Sequence, residues 1–148
     1  MIPNLSFQYG VSEIMDLIDG ETSRHAAFLR YQDGSIAYDD LKVHTNEKPT
    51  VEGFVSDSFR TVLTRFDGEG KYEVDNGMHT LSFYLPDFDT DLTTPATDEI
   101  RRYVVISATA RWLMSRSFGE YAKLIAADSE ASMNRLIDML RTRKYPLD

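Results

Sequence analysis

Residues 71–85 read KYEVDNGMHTLSFYL, and this stretch decides the fold of the chain. Asn76-Gly77 between two alternating runs predicts a β-hairpin with a two-residue type I′ turn, because both turn residues must adopt positive φ. The register places Tyr72, Val74, Leu81 and Phe83 on one face and Lys71, Glu73, Thr80 and Ser82 on the other. A lone hairpin is marginal in water, so its apolar face is expected to lie on helices or on a neighbouring subunit.

An amphipathic helix is predicted near the start of the chain, over about 12–30, with Ser12 as its N-cap. Gly20 weakens this helix and can divide it into two pieces. Its apolar stripe consists of Ile14, Leu17, Ile18, Thr22, His25, Phe28 and Leu29. The polar stretch 31–46 that follows is expected to be a surface loop, in which 35–38 can form a short strand.

A second helix is predicted over about 48–67, immediately before the hairpin. Pro49 suits its first turn, and Gly68 and Gly70 suit the left-handed conformation that ends a helix. The apolar stripe is rich in aromatic residues and consists of Val51, Phe54, Val55, Phe59, Val62, Leu63 and Phe66. This spacing indicates that one face of the helix is buried.

A third helix is predicted after the hairpin. Pro86 ends the second strand, and the acidic loop 87–94 leads to a helix that begins either at Thr94-Pro95 or at Thr97. The helix is apolar nearly all round, through Ile100, Tyr103, Val104, Ile106, Ala108, Ala110, Trp112, Leu113 and Met114. It is therefore expected to be the central helix of the core.

A fourth helix, over about 120–143, follows a break at Phe118-Gly119 and ends before Pro146. The predicted fold class is α+β and mainly α, namely a four-helix bundle-like domain with one β-hairpin inserted between helices 2 and 3. A chain of 148 residues with 42% hydrophobic and 27% charged residues matches one globular domain over 1–148.

Charge and composition exclude several classes of protein. Cysteine is absent, which excludes disulfides and thiolate metal sites, and the net charge of −8 disfavours a nucleic-acid-binding surface. Residues 1–97 hold 7 basic and 17 acidic side chains, whereas residues 98–148 hold 9 basic and 7 acidic ones. The two halves could attract one another between copies, although ordinary solvated faces give the same distribution.

The sequence predicts a cytoplasmic protein. It begins without a basic leader or an apolar run, and no window reaches the roughly 18 apolar residues of a membrane span. We therefore expect no contact with a membrane.

The acidic loop is the strongest candidate for a metal site. Asp87, Asp89 and Asp91 alternate along it, and Asp98 stands at the twelfth loop position. A calcium loop, however, needs glycine where this chain has Leu92 and a bidentate glutamate at its twelfth position. A solvated connection explains the acidic residues better, so no metal, cofactor or catalytic residue is predicted.

The three histidines give no zinc spacing and no catalytic pattern. His25 and His44 lie far apart in the sequence, and His79, opposite Val74 near the hairpin tip, is expected at the rim of the sheet. No base is paired with a nucleophile in any motif, so we predict that the protein is not an enzyme.

Two segments are the candidate interaction sites. One is the hairpin tip, Asn76, Gly77 and Met78. The other is the basic C-terminal segment, with Arg141, Arg143, Lys144 and Tyr145, together with Arg135 earlier in the same helix. Contact with phosphates is one interpretation of the basic residues; complementing the helix dipole is the favoured one.

The layout resembles short structural proteins encoded near the portal and capsid genes of tailed phages and prophages, and more distantly the head-to-tail connector, or neck adaptor, family. The resemblance is carried by four segments: FVSDSF at 54–59, FYLP at 83–86, YVV at 103–105 on the helix that reaches Trp112, and MLRTRKYP at 139–146. It covers most of the chain but includes no invariant motif, so it assigns no functional residue.

The resemblance implies a helical bundle whose hairpin or loops reach a neighbouring subunit in a ring between portal and tail. The expected function is therefore a non-enzymatic assembly subunit that forms homo-oligomers, binds portal or tail proteins, and resides in a bacterial cytoplasm or a virion. The alternative is a small intracellular protein-binding module or regulator that acts as a monomer or dimer. Neither interpretation includes sequence-specific binding of nucleic acid.

Overall fold

Five α-helices and a three-stranded antiparallel sheet make up residues 3–66 and 70–143, which are the residues that the computed structural model describes. The elements in chain order are β1 (Leu5–Gly10), α1 (Val11–Ala26), α2 (Tyr38–Leu41), α3 (Lys48–Phe66), β2 (Gly70–Asp75), β3 (Met78–Phe83), α4 (Thr93–Ser115) and α5 (Gly119–Arg141). Two short 3₁₀ turns occupy Thr45–Glu47 and Thr90–Leu92. The fold is mainly helical, with the hairpin between α3 and α4.

The hairpin has the predicted turn and register. Asn76 and Gly77 both adopt positive φ, at 51° and 73°, and Tyr72 pairs with Leu81. The prediction of a lone hairpin was wrong, because β1 pairs with β3 and the sheet order is β1-β3-β2. The alternation of Leu5, Phe7 and Tyr9 with polar residues is the signal of this third strand, and all three side chains are buried.

Helix α1 is shorter than predicted at its C-terminal end. It continues directly from β1 with Gly10 in the N-cap position, so Ser12 is not the cap, and Gly20 does not interrupt it. It ends at Ala26 rather than at residue 30. Phe28, which was assigned to the buried stripe, consequently lies in a turn, and 79% of its side chain is exposed.

The loop after α1 folds back on itself. Arg30 and Ile36 form an isolated antiparallel bridge, and the backbone N–H of Tyr31 donates to the carbonyl of Ser35 at 3.0 Å. The short strand considered for residues 35–38 is replaced by this bridge and by α2. The indole Nε1 of Trp112 donates to the carbonyl of Leu41 at 2.6 Å, which ties the loop to α4.

The other three long helices begin and end near the predicted residues. Helix α3 starts at Lys48, and its predicted stop at Gly68 lies outside the described residues. Helix α4 begins at Thr93, so neither predicted cap is correct: Asp89 caps a 3₁₀ turn that runs straight into the helix. Thr97 instead donates its hydroxyl to the carbonyl of Thr93, at 2.7 Å.

Helix α4 lies at the centre of the core, as predicted. It packs against α1, α3 and α5, and twelve of its residues are buried. The sheet packs on α3 through Phe59, whose ring lies 5.0 Å from Tyr72, 4.9 Å from His79 and 5.7 Å from Tyr9, and through Phe66 against Phe83. Helices α1 and α5 both lie against α4, and a groove between them is floored by α4.

Candidate functional site: the groove between α1 and α5

The α1–α5 groove has a volume of about 370 Å³ and opens to solvent along α4. Its lining comes from three helices: Leu17, Glu21, Arg24 and His25 of α1; Asp98, Arg101, Arg102, Val105, Ile106 and Thr109 of α4; and Ile125 and Asp128 of α5. The groove exists because α1 and α5 both lie against α4 but have few contacts with each other.

Apolar side chains from all three helices line the groove, together with the charged Asp98, Arg101 and Arg102 of α4. Val105 and Ile125 are each 6% exposed, whereas Leu17 is 39% exposed. Ile106 of α4, which also lines the groove, is partly exposed. Exposed apolar side chains beside an apolar cleft are a common feature of protein-binding surfaces.

The rim of the groove is charged and partly self-paired. Arg24 donates to Glu21 at 2.6 Å, and Arg101 donates to Glu13 at 3.0 Å and to Asp98 at 2.9 Å. These pairs are exposed, so each contributes little to stability. The rim therefore carries both acidic and basic side chains. This favours a partner whose contact surface has an apolar centre surrounded by acidic and basic groups.

One end of the groove is closed by a contact between His25 and Tyr121. The ring Nδ1 of His25 lies 2.7 Å from the hydroxyl of Tyr121, and the two rings are 5.5 Å apart. Burial lowers the pKa of His25, and the charge of Arg24 lowers it further. The contact fastens α1 to α5 at this end of the groove.

The predicted interaction residues of the hairpin lie at the junction between the sheet and α1. The carbonyl of Gly77 accepts a hydrogen bond from the N–H of Val11 at 2.9 Å, and Met78 pairs with Gly10. Asn76 and Gly77 are exposed, but the tip is held against the chain rather than extended from it. Their role in interaction remains a prediction.

The four candidate metal ligands do not form a metal-binding group. Asp89 accepts from the N–H of Asp91 at 3.1 Å, and Asp98 pairs with Arg101 in the groove rim. Over residues 3–66 and 70–143 no cluster of three or more His, Cys, Asp or Glu side chains could hold a metal ion. Asp87 is exposed, in keeping with a solvated loop.

The basic C-terminal residues are divided between different surroundings. Arg141 and Arg143 are exposed, and the backbone of Arg143 bridges to Phe88. Lys144 and Tyr145 lie outside the described residues. Arg135, which was grouped with them, instead donates its Nε to the buried carboxylate of Glu99 at 2.6 Å.

The prediction that His79 lies at the rim was wrong. Its side chain is 3% exposed, because Phe59 covers its ring and Tyr9 occupies the paired position on β1. Its Nδ1 lies 2.8 Å from the hydroxyl of Tyr72, which in turn lies 3.2 Å from the hydroxyl of Ser56. Burial lowers the pKa of His79.

The buried His79 and the partly buried His25 predict a loss of stability below neutral pH. The unfolded chain takes up each proton near the usual pKa of 6.5, whereas His25 and His79 in the folded chain take it up only at lower pH. Protons therefore favour unfolding, and the free energy of unfolding should fall below about pH 6.5 by at most about 1.4 kcal/mol per pH unit for each histidine. Chemical denaturation between about pH 7.5 and 5.5 measures this slope.

Two variants test whether these histidines cause the pH dependence of the free energy of unfolding. His79→Gln and His25→Gln should each reduce the slope, because each removes a histidine whose pKa is lowered by burial. An unchanged slope in the His79→Gln protein would contradict the assignment.

Sequence reasoning missed the groove itself. Leu17, His25 and Phe28 have the spacing of a buried helical face, and no local signal shows that α5 stops short of covering them. The exposure of Phe28 follows from the end of α1 at Ala26, which is set by the loop contacts and not by a glycine or proline.

Comparison with protein-family models, with curated proteins and with solved structures finds no match. None of the described helices has the length and apolar character needed to cross a membrane.

Proposed function

We propose that this protein is a non-enzymatic assembly subunit that binds other proteins through the α1–α5 groove. The observation that carries the proposal is the open groove, in which the exposed Leu17 lies beside the buried Val105 and Ile125. From Leu17 to His25 the α1 wall of the groove runs for about two helical turns, or roughly 12 Å. This length fits an amphipathic helix of a partner whose apolar residues recur every three or four positions.

The head-to-tail connector-like role is the form of this function that we propose. A small helical bundle-like subunit with an acidic first half and a binding groove is suited to a ring of many copies that joins portal and tail proteins. The apolar face of the hairpin packs on α3 within the same chain, so the hairpin itself needs no neighbouring subunit to cover it. The groove and its exposed margin replace the hairpin face as the main support.

A smaller binding module or regulator is the second candidate. The groove volume of about 370 Å³ lies at the lower end of ligand-pocket sizes, so it also fits one short peptide segment bound by a monomer or dimer. The genes beside this one separate the two candidates: portal, capsid or tail genes support the connector role, and their absence supports the regulator.

Binding through the groove predicts a specific loss of partner. Leu17→Ser and Ile106→Ser should each weaken binding of the partner protein by roughly tenfold or more, because both side chains line the groove and would be buried in the contact. The measurement is calorimetric titration with each purified protein encoded by an adjoining gene. Glu120→Gln, at an exposed residue near the start of α5, is the matched control and should bind normally.

Two results would contradict the proposal. One is the absence of binding to every adjoining gene product. The other is binding that neither serine variant weakens, provided that both variants melt at the temperature of the unaltered protein.

A further inference from the structure

Strand β2 forms one edge of the sheet and is its most exposed strand. The sheet order is β1-β3-β2, and every β2 side chain except Tyr72 is exposed, with Val74 at 50%. In the described parts of the chain no strand pairs with the outer edge of β2. Such an edge offers unpaired N–H and C=O groups to another strand.

The hairpin register shows which backbone groups lie on that edge. In a two-residue hairpin the residues flanking the turn form a hydrogen-bonded pair, and hydrogen-bonded pairs then alternate along the ladder. Asp75 pairs with Met78, so every second residue back from Asp75 directs its N–H and C=O toward β3. The backbone groups that face outward are those of Gly70, Tyr72 and Val74.

We propose that two copies of this chain associate through their β2 strands, antiparallel and about a twofold axis at Tyr72, so that two three-stranded sheets become one of six strands. Tyr72 then forms a hydrogen-bonded pair with its own counterpart, and Gly70 pairs with Val74 of the other copy. Lys71 comes opposite Glu73 of the other copy in a non-hydrogen-bonded pair, where side chains approach most closely. The twofold axis creates this ion pair twice.

Charge selects this register over its neighbours. An axis at Lys71 would place two lysines opposite each other, and an axis at Glu73 would place two glutamates opposite each other. An axis at Val74 would place Glu73 opposite Asp75. Charged residues usually protect an edge strand from pairing, but the sequence Lys71-Tyr72-Glu73 is complementary to itself when Tyr72 is the centre.

The inner face of the strand pair also permits the contact. Val74, half-exposed in the single chain, would meet Gly70 of the other copy, which has no side chain to hinder the approach. Position 70 is kept free of a side chain by its own surroundings, since a Cβ there would lie 2.6 Å from Leu63 Cδ2 and 3.0 Å from the carbonyl oxygen of Ser82. The glycine thus serves packing within the chain and leaves the edge open.

This contact is separate from the α1–α5 groove. The β2 contact depends on the proposed assembly function only because self-association is one way in which a subunit can assemble. Failure of the β2 contact would leave binding through the groove intact, and the groove variants Leu17→Ser and Ile106→Ser should not alter the β2 dimer.

The first test uses two variant proteins, each with one of the two charges reversed. In the Lys71→Glu protein and in the Glu73→Lys protein both cross-strand pairs become repulsive, so each should dimerise roughly tenfold or more weakly than the unaltered chain. A mixture of the two proteins should form a heterodimer, because each chain then supplies the charge that the other needs. The pair between Lys71 and Glu73 within one chain, at 3.4 Å, is not restored by mixing, so the rescue reports only contacts between chains.

The measurement is sedimentation equilibrium over a concentration series, with one of the two charge variants labelled by a fluorophore in the mixture.

A second test removes one backbone donor: Val74→Pro should abolish the dimer, and Val74→Ala, which keeps the N–H, should retain it. Thermal melting checks that the proline variant is folded. A monomeric unaltered protein at every concentration, or a dimer that tolerates both Lys71→Glu and a folded Val74→Pro, would overturn the proposal.

Discussion

Replacement of Phe59 by alanine is expected to lower the free energy of unfolding by about 3–5 kcal/mol. The Phe59 side chain is fully buried, and it is the place where α3 meets the sheet, with Tyr72 stacked on its ring and Tyr9 and His79 against it. Deleting the ring leaves a cavity between two elements that cannot close it without moving the whole sheet. Urea denaturation followed by circular dichroism measures the loss.

The same substitution at Phe28 is the matched control. Because 79% of this side chain is exposed, Phe28→Ala should change the free energy of unfolding by no more than about 0.5 kcal/mol. Equal losses in the two variants would mean that the sheet does not depend on Phe59 for its attachment to α3.

Local chemistry explains why the hairpin, α3 and α5 were predicted well. Positive φ at Asn76 and Gly77 fixes the turn, and the turn fixes every pair in the ladder. Strand β1 carries an equally clear alternation, but its partner β3 lies far along the chain, and no turn connects the two. Pairing between distant segments leaves little signal in the sequence of either one.

Side-chain exposure was the harder quantity to predict. His79 was placed at the rim because its neighbour Val74 is near the tip, yet β1 and Phe59 cover His79 while Val74 remains half-exposed. Phe28 has the spacing of a buried stripe and yet lies beyond the end of α1. In both cases the outcome depends on which other elements reach the residue, and neighbouring residues do not encode that.

The groove between α1 and α5 illustrates the same limit for the candidate site. Leu17 and Ile125 each belong to an ordinary amphipathic stripe, and only the spacing of the two helices on α4 makes them walls of an open cleft. The proposed β2 contact differs, because its complementary pair of charges can be found in the sequence once the hairpin register is known.

The ion pair between Glu99 and Arg135 gives the second large expected effect. Glu99 is 8% exposed and accepts from Arg135 Nε at 2.6 Å and from the hydroxyl of Ser132 at 2.7 Å, which joins the start of α4 to α5. Arg135→Met should lower the free energy of unfolding by about 2 kcal/mol, because it leaves a buried carboxylate without its counter-charge. The value is below that of fully buried pairs, since the Arg135 side chain is 49% exposed.

A double-mutant cycle separates the cost of the stranded charge from the loss of packing. In the Arg135→Met background, Glu99→Gln should restore part of the lost stability, because the amide can still bond to Ser132 and no charge remains buried. In the unaltered background the same Glu99→Gln change should be destabilising. The change in the free energy of unfolding caused by Glu99→Gln is thus negative when residue 135 is arginine and positive when it is methionine. If the losses from the two substitutions simply add, the pair contributes only packing.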